Sequence, residues 1–355
     1  MPRTTTAPLL ALVAACSGGA AATSATGSSG GSSSGSSSSG GPTSGGAAES
    51  TTSASASAAA SSDASASASS DAATDTSADT EGTSGGWLTR CPTVAAPAKL
   101  GQPWDPTIDE ASGLVASRAH AGALWTHNDS GDAARLFALS TAGASLGTFE
   151  IVGATAHDWE DIALGPGPTP GDFLYIGDIG DNPKARPHVT VYRLPEPDIA
   201  AAGGAAVEAT GAEAITLTYP GGPEDAEALL IDPISGDLFI VTKGDTTRLL
   251  RHQAPLVAGG PFLMQEIASI QAPIAFVTAG EVSPRGDFVA LRTYGAALLW
   301  LRPRGGAIAD ALQGPPCTLS LAAEIQGEAL GIASDSAGYF TVSEKVAQLW
   351  WFAFQ

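Results

Sequence analysis

Positive charge is scarce in this chain: 16 Lys and Arg stand against 36 Asp and Glu, for a formal net charge of −20. Nucleic acid is therefore excluded as a partner, because no basic stripe exists to neutralise phosphates. The same deficit excludes peripheral docking of the folded part on anionic lipid. Cysteine is nearly absent, with three in 355 residues. No His or third Cys accompanies Cys91 and Cys317 at ligand spacing, which argues against a thiolate zinc site. Long apolar runs are missing too. The stretch 7–15 falls far below the ~20 residues that cross a bilayer. Helix signals are few after residue 86, and there is no His-Glu-x-x-His pair for zinc, although His127 and His157 lie among acidic residues.

What is present begins with Val13-Ala14-Ala15-Cys16. This string resembles the lipobox of bacterial lipoproteins, and the resemblance implies that 1–16 is a signal peptide and that Cys16 is acylated. Ser17 after the cysteine implies the outer membrane. The expected protein is thus exported and lipid-anchored in the cell envelope, its membrane contact made through acyl chains. Residues 17–86 are almost entirely Ser, Gly, Ala and Thr, with a few acids and no Lys or Arg. Such a segment has no large side chains to bury and cannot offset the entropy of ordering, so a disordered tether is expected. The folded domain is expected over 87–355.

Within that domain, short β-rich runs recur five times. Their opening triplets are Ser112-Gly113-Leu114, Glu160-Asp161-Ile162, Glu227-Ala228-Leu229, Thr278-Ala279-Gly280 and Glu328-Ala329-Leu330, at intervals of 48, 67, 51 and 50 residues. Turn chemistry follows each triplet, as in Gly165-Pro166, Asp232-Pro233 and Ser283-Pro284. A second strand follows the turn, and in most units a third. These lengths suit four-stranded propeller blades. The expected fold is all-β, a five-bladed β-propeller after the disordered N-terminal tether; six blades and a sandwich of short strands are the alternatives. The long interval holds an Ala/Gly-rich insertion, 200–211, ahead of an outer strand near 215–219. The last unit stops after three strands, so a strand from 91–102 is expected to complete it and close the ring, leaving no unpaired edge. In an oxidising compartment Cys91 and Cys317 are expected to form a disulfide, fixing this seam to the loop that leads into the fifth blade.

In a propeller, the loops entering the inner strands and leaving the second strands open on one face, where polar residues converge. The inner-strand openings carry Glu160, Asp161, Glu227 and Glu328, with Asp158 and Asp225 two residues before the first and third of these. The second loops carry Asn128, Asp129, Asp132, Asp178, Asp181, Asn182, Lys243, Arg292 and Glu344. An Asp-x-Gly-Asp string occurs twice, at 129–132 and 178–181. Its glycine lets the chain turn sharply, so that two carboxylates can face one point, and hard oxygen donors suit Ca²⁺. Asp and Gly are also ordinary turn formers. Asn128, Asp129, Asp132, Asp178 and Asp181 are the expected metal ligands. Glu227, Lys243, Arg292, Glu328 and Glu344 are expected to bind a ligand, Lys243 and Arg292 holding an anionic group beside the metal; a set of inter-blade ion pairs is the alternative. If the protein is an enzyme, Glu160 or Asp161 is the expected catalytic group, activating water beside the metal. Trp125, Trp159, Trp300, Trp350 and Trp351 are expected in inter-blade packing.

The strings Glu110-Ala-Ser-Gly-Leu-Val-Ala-Ser117, Asp158-Trp-Glu-Asp-Ile-Ala163, Gly177-Asp-Ile-Gly-Asp-Asn182, Asp225-Ala-Glu-Ala-Leu229 and Gly327-Glu-Ala-Leu330 carry a family resemblance. The domain resembles extracellular bacterial propellers of the phytase-like or esterase-like and SdiA-regulated groups. That resemblance implies a propeller, a calcium-rich channel and, in the phytase-like case, six blades with Lys and Arg near phosphate. Three functions follow as expectations: a calcium-dependent binding or scaffolding module for a small molecule, glycan or protein; a metal-dependent hydrolase of phosphoesters or lactones; or a purely structural envelope protein.

Overall fold

A computed structural model describes residues 86–101, 105–270, 274–344 and 348–355. The expected signal segment with Cys16, and the linker apart from its last residue, lie outside the described residues.

Five small sheets form a five-bladed β-propeller. Blade one runs from the channel outward as Ala111–Ala116, Ala123–Asn128, Arg135–Ser140 and Ser145–Ile151. Blade two is Trp159–Pro166, Asp172–Asp178, Val189–Pro195 and Glu213–Thr218; blade three is Ala226–Ile231, Leu238–Thr242, Thr247–His252 and Gln265–Ile270. Blade four is Val277–Val282, Phe288–Thr293, Ala297–Leu301 and Cys317–Leu319. Blade five has Gly327–Ile332, Gly338–Ser343 and Trp350–Ala353, and takes its outer strand, Ala98–Lys99, from the start of the domain. The ring closes as the sequence predicts. The insertion is more than a spacer: after the short helix Ile199–Ala202, Ala206–Ala209 reaches back and pairs in parallel with the outer strand of blade one. Blade three likewise sends Gly259–Leu263 back to the outer strand of blade two.

Strands here have no solvent face along their inner half. Ala226–Ile231 is buried at all six positions, so the period-two alternation distributes side chains between two neighbouring blades rather than between core and water. Leu174 and Ile176 enter the layer between blades one and two, while Tyr175 enters the layer between two and three. Trp125 and Trp159 fill the first of these layers, and Trp300 fills the one between three and four. A layer between blades five and one, built on Leu114, Phe137, Phe340 and Val342, completes the circle. Each such Leu, Ile or Phe removed from water contributes roughly 1.5–3 kcal/mol.

Cys91 and Cys317 form a disulfide. Cys317 opens the outer strand of blade four rather than lying in the loop to blade five. The bridge therefore ties the incoming chain to blade four, one blade away from the strand pairing that closes the ring. Just upstream, Trp87 Nε1 donates to the Arg302 carbonyl at 2.8 Å and the Leu88 amide donates to Asp287 at 2.8 Å. Asp287 belongs to the turn between the first two strands of blade four, so the chain enters at the end of the propeller opposite the inner-strand openings. The bridge spans 226 residues. Replacing both cysteines with serine is expected to destabilise the domain by about 2–5 kcal/mol, read from urea unfolding under non-reducing conditions. Superimposable curves would show that strand pairing alone holds the seam.

Candidate metal centre

The five repeat triplets mark one structural device. Each inner strand breaks register with its second strand at the triplet: between Trp159 and Asp161, Ala226 and Ala228, Val277 and Ala279, Gly327 and Ala329, and more widely between Ala111 and Leu114. The residue left over at the bulge is Glu160, Glu227, Thr278 or Glu328, with Ser112 in the corresponding position of blade one. A bulge re-aims one side chain out of the ladder, and here it presents acids at the mouth from blades two, three and five. Where the bulged residue is a hydroxyl, it bridges to the next blade instead. Ser112 Oγ donates to the Glu160 carbonyl at 2.6 Å, and Thr278 Oγ1 donates to the Glu328 carbonyl at 3.1 Å.

Backbone bonds then draw each second loop onto the loop entering its own inner strand. The Asp129 amide donates to the Glu110 carbonyl, Lys243 to Asp225 and Glu344 to Gln326, at 2.8, 2.9 and 2.9 Å. Two carboxylate sets result. Oxygens of Asp129, Asp158 and Glu160 lie within 4.8 Å of one another, and so do those of Glu160, Asp225 and Glu227. Glu160 belongs to both. It is 4% exposed. Gly180 leans so close that a Cβ there would collide with Glu160 and Asp158, which explains the glycine in that loop.

Electrostatics follow from crowding and burial. Burial pushes Asp129 up to about 6, with repulsion from Asp158, Glu344 and Glu110 added against the Ser130 amide. Burial also pushes Asp158 up to about 6, against the pull of Arg186, and Glu328 up to about 7, against Lys243. Glu160 is raised well above the carboxylate range by burial and then by Glu227, Asp129 and Asp158; Glu227 is raised as far by burial, against the pull of Lys243. The ammonium of Lys243 pairs with Glu227 Oε1 and donates to the Tyr294 hydroxyl at 3.1 Å. Glu227 Oε2 is buried without a partner. This donor set, all carboxylate oxygen, is able to hold a metal ion.

The other expected site residues divide differently. Asn128 donates to the Thr107 carbonyl at 2.7 Å and to Asp132 at 2.9 Å, and Asp132 pairs with Arg135 at 2.7 Å. Asp178 pairs with Arg186 at 2.8 Å, while Asp181 accepts the Ala185 and Arg186 amides at 2.9 and 2.7 Å. Of the two Asp-x-Gly-Asp strings, therefore, Asp129 stands in a metal-competent set, and the remaining acids shape their own loops. Glu328 and Glu344 are buried close enough to raise Glu227 and Asp129 respectively. Arg292 is 0% exposed and is bonded to Glu324 and to the Ala329 carbonyl. Asp158 and Asp225 stand closer to the centre than the expected ligand set placed them. Tyr294 and Glu324 were not anticipated. Tyr294 was findable, because Thr293-Tyr294-Gly295 occupies the repeat position of Thr242-Lys243-Gly244.

Below the mouth, the channel is held by acids of another kind. Asp161 accepts the amides of Ile162 and Leu229 at 2.9 Å and of Gly280 at 3.1 Å, tying the inner strands of blades two, three and four together. Glu281 accepts the Ile332 amide from blade five. Burial pushes Glu281 up to about 8. A carboxyl whose folded pKa exceeds its unfolded value of 4.5 holds its proton in the folded state. Stability therefore falls by up to ~1.4 kcal/mol per pH unit as pH rises from about 4.5 to about 8. Glu281→Gln, which keeps the amide acceptor, is expected to flatten that part of the slope and to be the more stable protein above pH 8. Melting curves in EDTA from pH 5 to 9 measure it; parallel profiles for the two proteins would remove the assignment.

The class defined by fold and site is a five-bladed propeller with an acidic, metal-competent mouth. No family model matches the chain, and no curated protein matches it. Among solved structures, it is similar to the PQQ-bound form of aldose sugar dehydrogenase from Streptomyces coelicolor, at 12% identity and a TM-score of 0.42, over 74% of this chain and 98% of that one. A likeness at this level carries no argument about cofactor or substrate.

Proposed function

We propose that the mouth binds a divalent cation, calcium being the best match, and that the protein is an envelope-anchored module that captures its ligand through that ion. Glu160 carries this reading. It belongs to both carboxylate sets, and crowded, buried carboxylates, Glu227 Oε2 with no partner among them, cost several kcal/mol unless a cation or protons neutralise them; a dication among Asp129, Asp158, Glu160, Asp225 and Glu227 would do so. Carboxylate oxygens favour calcium over zinc, and calcium takes 6–8 oxygens, more than either three-residue set supplies with single oxygens. The remaining positions are open to water or ligand. Anchoring rests on the expected acylation of Cys16. It is supported by the chain entering the propeller at Trp87, remote from the mouth. The hydrolase reading weighs less, because Asp161 is committed to three amides and Arg292 to Glu324.

Calorimetric titration of the metal-free protein with calcium tests the proposal. Saturable binding is expected at pH 7.5, with a thermal stabilisation of about 2.7 kcal/mol at a hundredfold excess over Kd. Protons compete for Asp129, Asp158 and Glu328, which titrate near 6, 6 and 7. Affinity is therefore expected to fall at least tenfold between pH 7.5 and 5.5. No heat and no shift in melting at millimolar calcium would end the metal reading. EDTA-sensitive turnover of a phosphoester or lactone would move the protein to the hydrolase class.

A further inference from the structure

Beside the acidic arc, the mouth turns apolar. Phe276 and Tyr294 flank the inner hairpin of blade four, and Ile325 precedes the inner strand of blade five; they are 48%, 42% and 78% exposed. The two regions are continuous. Lys243 Nζ lies 5.3 Å from the Tyr294 ring centroid while pairing with Glu227, so the apolar surface begins one side chain from the metal-competent set. Phe276 has φ +59°, a conformation that large side chains rarely adopt and that is concentrated at functional sites. Its amide donates to the Gly244 carbonyl at 3.3 Å, fixing its loop beside that of Lys243. The large aromatics of the inter-blade layers offer no such platform, since Trp125, Trp159 and Trp300 are fully buried.

Charge selects the ligand. Among the described residues, the six carboxylates of the two sets with Glu328 outnumber the positive charges even with a dication, Lys243 and Arg186 counted. An anionic ligand would meet net repulsion, whereas neutral hydroxyls would meet none and can complete a calcium shell. We infer that the mouth recognises a neutral carbohydrate. Adjacent hydroxyls ligate the cation, and the C–H face of the sugar ring packs on Tyr294 and Phe276, with Ile325 as the outer wall. This inference rests on the metal reading above and narrows it to a ligand class.

The test uses the calcium-loaded full chain, titrated calorimetrically with cellobiose, maltose and N,N′-diacetylchitobiose. Glucuronate and glucose 6-phosphate are the anionic probes, and benzyltrimethylammonium is the organic cation. At least one neutral disaccharide is expected to bind in calcium and not in EDTA, with the anions at least tenfold weaker. The variant Phe276→Asn/Ile325→Ser retains a residue that tolerates positive φ. It is expected to lose about tenfold or more in saccharide affinity at unchanged calcium affinity. Silence of all three sugars while calcium titrates normally would overturn the inference and leave the metal site standing. So would a preference for the anions or the ammonium ion, or wild-type saccharide binding by the double variant. Absence of calcium binding itself would remove both.

Discussion

Glu160→Gln is expected to abolish calcium binding, lowering affinity by about a hundredfold or more, while leaving the metal-free domain at least as stable as the wild type. The first half follows from Glu160 belonging to both carboxylate sets. Loss of a partner that merely orients a ligand already costs 10–100-fold, and a shared ligand must cost at least as much. The second half follows from burial. Without metal, the wild-type carboxylate must stay ionised beside Glu227, Asp129 and Asp158 or take up a proton. Glutamine has the same shape and no charge to neutralise, and its amide can donate to Asp158 or Glu227. Calorimetry in calcium and melting in EDTA at pH 8 read the two halves separately. Asp178→Asn is the informative contrast. Asp178 pairs with Arg186 and accepts the Asp158 amide at 3.1 Å, so its loss is expected to loosen the loop and to weaken calcium by about tenfold, the low end of what an orienting partner costs. Calcium affinity that survives Glu160→Gln but vanishes in Asp178→Asn would return the metal to the Asp-x-Gly-Asp strings.

That contrast shows where the sequence was legible. The repeat triplets marked the bulges because a bulge recurs at a fixed place in every blade and selects what occupies it. Blade number, the inner three strands of each blade and the closing strand were readable from that spacing. Local strings were less informative than register. Asp129-Ser-Gly-Asp132 and Asp178-Ile-Gly-Asp181 look equivalent, yet Asp129 occupies the first position of its second loop and the same position in blade two holds Ile179, which is buried in a core layer. Lys243 and Arg292 look alike as second-loop cations. In register, however, Arg292 pairs with Ala279 as Val241 pairs with Ala228, which places it inside the strand with its side chain in an inter-blade layer. The parallel strands Ala206–Ala209 and Gly259–Leu263 were illegible because their pairing is with the preceding blade, and no local pattern encodes a partner that lies backward across a crossover.

The burial of Arg292 leads to the largest expected loss of stability. Glu324→Ala is expected to cost about 3–5 kcal/mol, since it leaves a guanidinium in the layer between blades four and five without its counter-charge. Arg292 cannot escape by losing its proton, and its other bond, to the Ala329 carbonyl at 2.8 Å, answers one donor of five. Glu324 also accepts from Thr341 Oγ1 at 3.0 Å, so the second strand of blade five loses a tie as well. Gly327 shows how closely the surroundings are fitted to the pair, because a Cβ there would strike the guanidinium. Removing the charges together should reverse most of the loss. Arg292→Met/Glu324→Leu restores the apolar character that Val241 and Val342 have at the matching positions of blades three and five, and it is expected to unfold in urea within about 1.5 kcal/mol of the wild type. A cost below about 1 kcal/mol for Glu324→Ala would mean that water reaches Arg292. Normal calcium and saccharide binding by the double variant would mean that the second cation, which the sequence placed beside an anionic ligand, acts instead as a strut between blades.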